Sequence, residues 1–367
     1  MTISFRIHSL EIPLVRPFRT SFGSQSVRDV VLVEAISASG ISGWGECVTM
    51  PWPGYSSEYT SGAIDVMQKF LIPDLRPILE STPEPDAVRS AMESQQGHPM
   101  AKAALSTALL DLWLKERNQS LGSYLGAVRE RVDCGVSVGI ATSLDALLEE
   151  VGLYVDQGYR RIKLKIEPGW DLEPVRLVRE TWPKIPLQVD ANQAYGRSDG
   201  AHLAQLDACE LILIEQPLPE DDLLGHALIS KVVSTPICLD ESILSVASAE
   251  GAIEFGATTI INIKPGRVGG YLTAREIHNL CVERGIPVWC GGMLETGVGR
   301  AANLALAGLP GFTVIGDTSA SSRYYAEDVT PPFILDNGQL EVPTGPGIGV
   351  EPIADNLAAM SSGVITV

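Results

Sequence analysis

Between Cys134 and Gly316 one unit repeats along the chain. A short apolar run suited to a β-strand is followed by an amphipathic stretch suited to a helix. The strand candidates are CGVSVGI (134–140), RIKLKI (161–166), PLQVD (186–190), LILIE (211–215), PICLD (236–240), TIINIK (259–264), IPVWCG (286–291) and FTVIG (312–316). Stretches such as DLEPVRLVRETW and TAREIHNLCVERG lie between them. Parallel strands need long crossovers, and helices of this length supply them. Eight such strands with seven intervening helices predict an α/β fold, a TIM-type barrel of the (β/α)7β kind, since no helical stretch follows the eighth strand. An open doubly wound sheet is the alternative reading of the same order.

Residues 1–130 read differently. Three strand-like segments, ISFRIHSLEIPL, RDVVLVEAISAS and ISGWGECVT, precede helical stretches such as MAKAALSTALLDLWLKE (100–116). This predicts an α+β capping domain over 1–130, ahead of a barrel over 131–320. The segment 321–367, rich in Pro and Gly, is expected to return to the cap.

The polar residues at the strand ends carry the chemistry. Lys165, Asp190, Glu215, Asp240 and Lys264 are separated by 25, 25, 25 and 24 residues, one repeat unit each. Equal steps put them at one height, the C-terminal mouth where barrel enzymes keep their active sites. Strand alternation fixes their direction. In PLQVD, Gln188 and Asp190 share one face while Leu187 and Val189 share the other, and Asn262 lies on the face of Lys264. Lys163 and Lys165 likewise leave one face together, which here points into the barrel. Alternating lysines on a solvated edge strand are the commoner case, but the recurrence of polar strand ends decides for the interior. Helix capping explains the carboxylates poorly, because Glu215 is a weak N-cap and Gln216-Pro217 follows it.

Three adjacent carboxylates do not remain ionised together without a cation. Hard oxygen ligands with open positions suit Mg²⁺. Lys165, with Lys163 and a cation beside it to disfavour its charged form, is a candidate base. The chemistry suggested is removal of a proton α to a carboxylate, with the cation neutralising the enediolate as it forms.

The stretches KLK, QVDAN, IEQP, CLDES, NIKPGRVGG and GGMLETGVGRAAN, in this order, resemble the muconate-lactonising-enzyme subgroup of the enolase superfamily. Within it the chain is similar to the N-acylamino-acid racemase/o-succinylbenzoate synthase family, a likeness that extends through PFRTSFG, GWGECVTM, GYRRIKLKIEPGW and PTGPGIGV. The resemblance implies Asp190, Glu215 and Asp240 as Mg²⁺ ligands, with Mn²⁺ or Co²⁺ able to substitute. It implies Lys165 and Lys264 as an acid/base pair on opposite faces of a small-molecule carboxylate substrate, and Lys163 and Asn192 as supporting groups. Cap loops near Arg19–Gly23 and Met50–Tyr55 would close over the acyl group, with Phe22, Met50, Tyr55, Ser137, Met293 and Tyr324 as the pocket. The activity implied is racemisation of N-acyl (N-succinyl) amino acids, o-succinylbenzoate synthesis by dehydration, or both. Dipeptide epimerisation and muconate cycloisomerisation are the alternatives inside the superfamily. A homo-oligomer is also implied.

Other classes fit less well. A Schiff-base lyase would use a barrel lysine but has no need of three carboxylates. A non-catalytic binding protein would not need a complete acid/base and carboxylate set. GVSVG (135–139) matches an esterase elbow, yet Ser137 sits inside a strand pattern. The five histidines lie off the strand ends, against a zinc hydrolase. A net charge of −18 argues against nucleic acid. No apolar run is long enough for a membrane span, and the N-terminus lacks the order of a signal peptide. Six scattered cysteines without a CxxC pair are expected to be free thiols, as in a cytoplasmic protein.

Overall fold

The computed structural model describes residues 3–367. Strands β1 (Ser4–Thr20), β2 (Gly23–Ile36) and β3 (Ser42–Cys47) form an antiparallel meander. The β1–β2 hairpin is longer than its sequence pattern implied. Its ladder slips between Pro13 and Phe18, where Pro13 has no N–H to offer, and resumes to pair Thr20 with Gly23. The apolar run of β2 reflects a sheet covered on both faces. Val31 and Val33 pack into the cap's own core with Met67 and Leu105, whereas Val30 and Leu32 pack into the barrel's core. Strand β3 lies directly on the helix Pro99–Glu116, so closely that a Cβ on Gly45 would stand 2.1 Å from the Ala104 carbonyl oxygen.

After β4 (Arg131–Asp133) come the parallel strands β5 (Gly135–Val138), β6 (Arg161–Lys165), β7 (Leu187–Asp190), β8 (Ile214–Glu215), β9 (Ile237–Leu239), β10 (Ile260–Ile263) and β11 (Val288–Cys290), neighbours in chain order. The eighth candidate, 312–316, makes isolated bridges rather than a regular strand. Val288 pairs with Phe312 and Cys134 with Gly316, and the Gly135 N–H donates to the Gly316 carbonyl at 2.9 Å. The segment thus joins β11 to β5 and closes the ring. The next helical piece is a single short turn, Ser321–Arg323.

The returning segment first pairs β12 (Gln339–Glu341) with β4, then bonds through Gly347 and Ile348 to Gln119, Leu121 and Asp111 of the cap. It ends as β13 (Ser361–Thr366), which adds an antiparallel edge strand to β1. All six cysteines are free and buried. Among the described residues no helix is long and apolar enough to cross a membrane.

Candidate active site

Inside the barrel, Leu213, Cys238, Ile260 and Trp289 form a small apolar plug. The residues two further along three of these strands, Glu215, Asp240 and Asn262, belong to the polar layers above it. Strand register sets Lys165 beside Asp190, and Asp190 beside Glu215. The lysines are interior groups: Lys163, Lys165 and Lys264 are 2%, 8% and 5% exposed. The reading of a solvated edge strand is therefore excluded.

Each of the three buried lysines has a carboxylate partner. The Lys165 amine donates to Asp190 Oδ2 and Asn192 Oδ1, both at 2.6 Å. The Lys163 amine donates to Asp317 Oδ2 at 2.6 Å and Glu215 Oε2 at 2.9 Å, and lies 3.4 Å from Asp190 Oδ2. Lys264 donates to Asp240 Oδ2 at 2.8 Å and to the Tyr55 hydroxyl at 3.1 Å. Arg267 donates to Asp240 Oδ1. Asn262 donates to Glu215 Oε1 at 2.7 Å. Among the described residues the carboxylates turn to these cations, and no three His, Cys, Asp or Glu side chains converge on a common point.

Burial alone would raise every carboxyl pKa in this cluster. At Asp240 it is outweighed by Arg267 and Lys264, at Asp190 by Lys165 and Lys163, and at Asp317 by Lys163 and Arg161, so these three are held below the usual carboxylate range. At Glu215 burial wins, helped by the charges of Asp190 and Asp240, and the group is pushed up to about 8. Burial disfavours the Lys163 ammonium, but Asp317, Glu215 and Asp190 outweigh it and raise its pKa.

Backbone strain gathers at the same mouth. Asn192, Gln193 and Gln216 have φ of 41°, 67° and 36°, in the left-handed region. Gln216 earns this conformation by its bonds: its Oε1 accepts from the Asp240 N–H at 2.9 Å, and its Nε2 donates to Ser242 Oγ at 2.8 Å.

The cap closes the mouth. The β1–β2 turn reaches the barrel through Ser21, whose hydroxyl donates to the Ala191 carbonyl at 3.1 Å, and through an Arg19–Glu167 ion pair at 2.7 Å. Phe22, Met50, Tyr55, Ser137, Met293 and Tyr324 line one cavity with Lys163, Lys165, Asn192 and Lys264. Its free volume is only about 60 Å³. A larger cavity of about 460 Å³, between the helix Pro99–Glu116 and the segment Val268–Thr273, contains none of these groups and no comparable chemistry.

Sequence reasoning overlooked four members of the cluster. Asp317 lies one residue past the eighth strand candidate, and Arg161 shares the inward face of Lys163, so the spacing and alternation arguments already held both. Arg267 and Glu241 follow strand ends, where alternation no longer applies. Ser137 is no nucleophile in an elbow: it lies within β5, and its hydroxyl donates to the Asp317 carboxylate at 3.4 Å.

The geometry agrees with the kinships of the chain. Residues 2–126 match the mandelate racemase/muconate lactonizing enzyme N-terminal domain, and residues 146–356 match the enolase C-terminal domain-like family. The chain belongs to the mandelate racemase/muconate lactonizing branch of the enolase superfamily. It is thus an enzyme of the isomerase and lyase chemistry found there. It is 56% identical to an N-succinylamino acid racemase from Amycolatopsis over 96% of this chain and 95% of that one. It is 45% identical to an o-succinylbenzoate synthase from Geobacillus kaustophilus, over 94% and 92%. The crystal structure of an enolase superfamily member from Listeria innocua superposes with a TM-score of 0.94 at 41% identity, covering 100% and 98%.

Proposed function

We propose that this enzyme racemises N-acyl amino acids, N-succinyl derivatives among them, through two lysines that exchange the α-proton on opposite faces of the substrate. The observation that carries this reading is the placement of Lys165 and Lys264. They stand on β6 and just past β10, with three strands between, and both line the same small cavity. Lys165 takes the proton from one face as a neutral amine, and Lys264 delivers one to the other as an ammonium; the reverse direction exchanges the roles. Lys163, which keeps its charge, is suited to hold the substrate carboxylate. The cap loops, through Phe22, Met50 and Tyr55, cover the cavity and limit the access of water to it.

The branch works with a divalent metal, and the residues fit one. Asp190, Glu215 and Asp240 offer hard oxygen donors at successive strand ends, and Glu241 Oε2, buried nearby, has no hydrogen-bond partner. Bound there, Mg²⁺ would offset the negative charge gathering on the substrate as the proton leaves.

The 56% identical relative is named a racemase, as is one 46% identical from Thermus thermophilus, whereas others at 44–45% are named synthases. Both reactions begin with α-proton removal, but the second lysine is needed on the far face only for racemisation. The test is racemisation of N-succinylphenylalanine, followed by chiral chromatography before and after metal is stripped with EDTA. Activity should vanish and return with Mg²⁺. Full activity in a verified metal-free sample would overturn the reading.

A further inference from the structure

The two lysines are held by different parts of the molecule. The hydrogen-bond partners of Lys165, Asp190 and Asn192, both belong to the barrel. Lys264 has one barrel partner, Asp240, and one from the cap, Tyr55, which lies 209 residues away in sequence. Tyr55 is 6% exposed, and its phenol uses every valence it has. Its one proton goes to Asp240 Oδ2 at 3.2 Å, and its oxygen accepts from the Lys264 amine at 3.1 Å and from Arg267 Nη1 at 3.0 Å. The ring also lies beside the Lys264 ammonium, 4.7 Å from centroid to Nζ, and packs against Phe22.

A lysine amine on a four-carbon stem has many orientations, and proton transfer needs one of them. Asp240 alone fixes a single N–H direction. The phenol fixes a second. We propose that Tyr55 is a positioning residue for Lys264 and not for Lys165, so that one half of the proton exchange depends on the cap loop being docked. This rests on the two-lysine reading above and deepens it: the cap contributes to the chemistry on one face only.

The test uses Tyr55→Phe, which removes one oxygen and keeps the ring. Each enantiomer of N-succinylphenylalanine is incubated in D₂O with the Mg²⁺-loaded enzyme, and loss of the α-proton signal is followed by NMR. A Lys165→Ala variant identifies the enantiomer whose proton faces Lys264. Tyr55→Phe is expected to slow exchange of that enantiomer by about 10- to 100-fold, the cost of a slightly misplaced catalytic group, and to slow the other by less than about threefold. General damage to fold or metal site would slow both alike, so the ratio separates positioning from structure. Equal loss on both faces, or no loss on the Lys264 face, overturns the inference while wild-type exchange of both enantiomers leaves the two-lysine reading intact. Wild-type enzyme that exchanges neither overturns both.

Discussion

Glu46 joins the cap to the barrel by a carboxylate that burial holds in an uncomfortable charge state. It leaves β3 and docks on the first turn of the helix Gly297–Ala307. Its Oε2 accepts from Thr296 Oγ1 at 2.6 Å and from the Gly299 N–H at 3.0 Å, and the Thr296 N–H lies 3.1 and 3.2 Å from its two oxygens. Burial raises its pKa, as does the neighbouring Glu295 charge, against the lowering effect of the Thr296 and Gly299 donors. The result is a rise from the ordinary 4.5 to about 7. The other ionisable groups coupled to it, Tyr271 and Tyr325, are neutral phenols pushed up by burial. A carboxyl with a raised folded-state pKa binds more protons folded than unfolded, so its contribution to stability is present below pH 4.5 and is lost as pH rises toward 7. The size is about 3 kcal/mol, at roughly 1.4 kcal/mol per pH unit. Glu46→Gln keeps an acceptor where Oε2 stands and removes the charge. Urea unfolding of wild type and variant at pH 5 and pH 8 is therefore expected to show a difference that shifts by about 2–3 kcal/mol in favour of Gln at the higher pH. A variant that tracks wild type at both values, or loses ground at pH 8, refutes the reasoning.

Two further perturbations address the frame around the site. Asp317→Ala leaves Lys163 and Arg161 without their shared carboxylate inside the barrel, and a loss of about 3–5 kcal/mol in unfolding free energy is expected, the usual cost of breaking a buried pair. Gly45→Ala drives a methyl group into backbone atoms of Ala104 and Ala108, and should lower stability by about 3 kcal/mol or more, measurable as a fall in Tm, because a helix cannot yield as a side chain can.

The sequence disclosed the barrel and its mouth because both rest on short-range rules. Side-chain alternation and a fixed unit length are enough to bring Lys165, Asp190, Glu215, Asp240 and Lys264 to one level, and strand register places the first three side by side. The same rules already contained Arg161, two residues before Lys163, and Asp317, two repeat units beyond Lys264 around the ring. What they could not contain is contact made by loops. Tyr55 lies far from Lys264 along the chain, and nothing local specifies that a cap loop should bring its phenol there. Arg267 turns back from a loop to Asp240. The extension of the β1–β2 hairpin to the mouth depends on the docking of Ser21 and Arg19 on the barrel. The eighth strand also fell short of regularity: between Phe312 and Gly316 it makes bridges rather than a continuous ladder.

The central claim is that each lysine serves one face of the substrate. In D₂O with Mg²⁺, wild-type enzyme should racemise N-succinylphenylalanine and exchange the α-proton of both enantiomers. Lys165→Ala should stop racemisation while exchange continues from the enantiomer facing Lys264, and Lys264→Ala should show the opposite preference. Each should lose racemisation by at least the roughly 10²–10⁴-fold expected for removal of a general acid or base. Near wild-type racemisation in either variant, or the same residual enantiomer preference in both, would contradict a two-lysine mechanism.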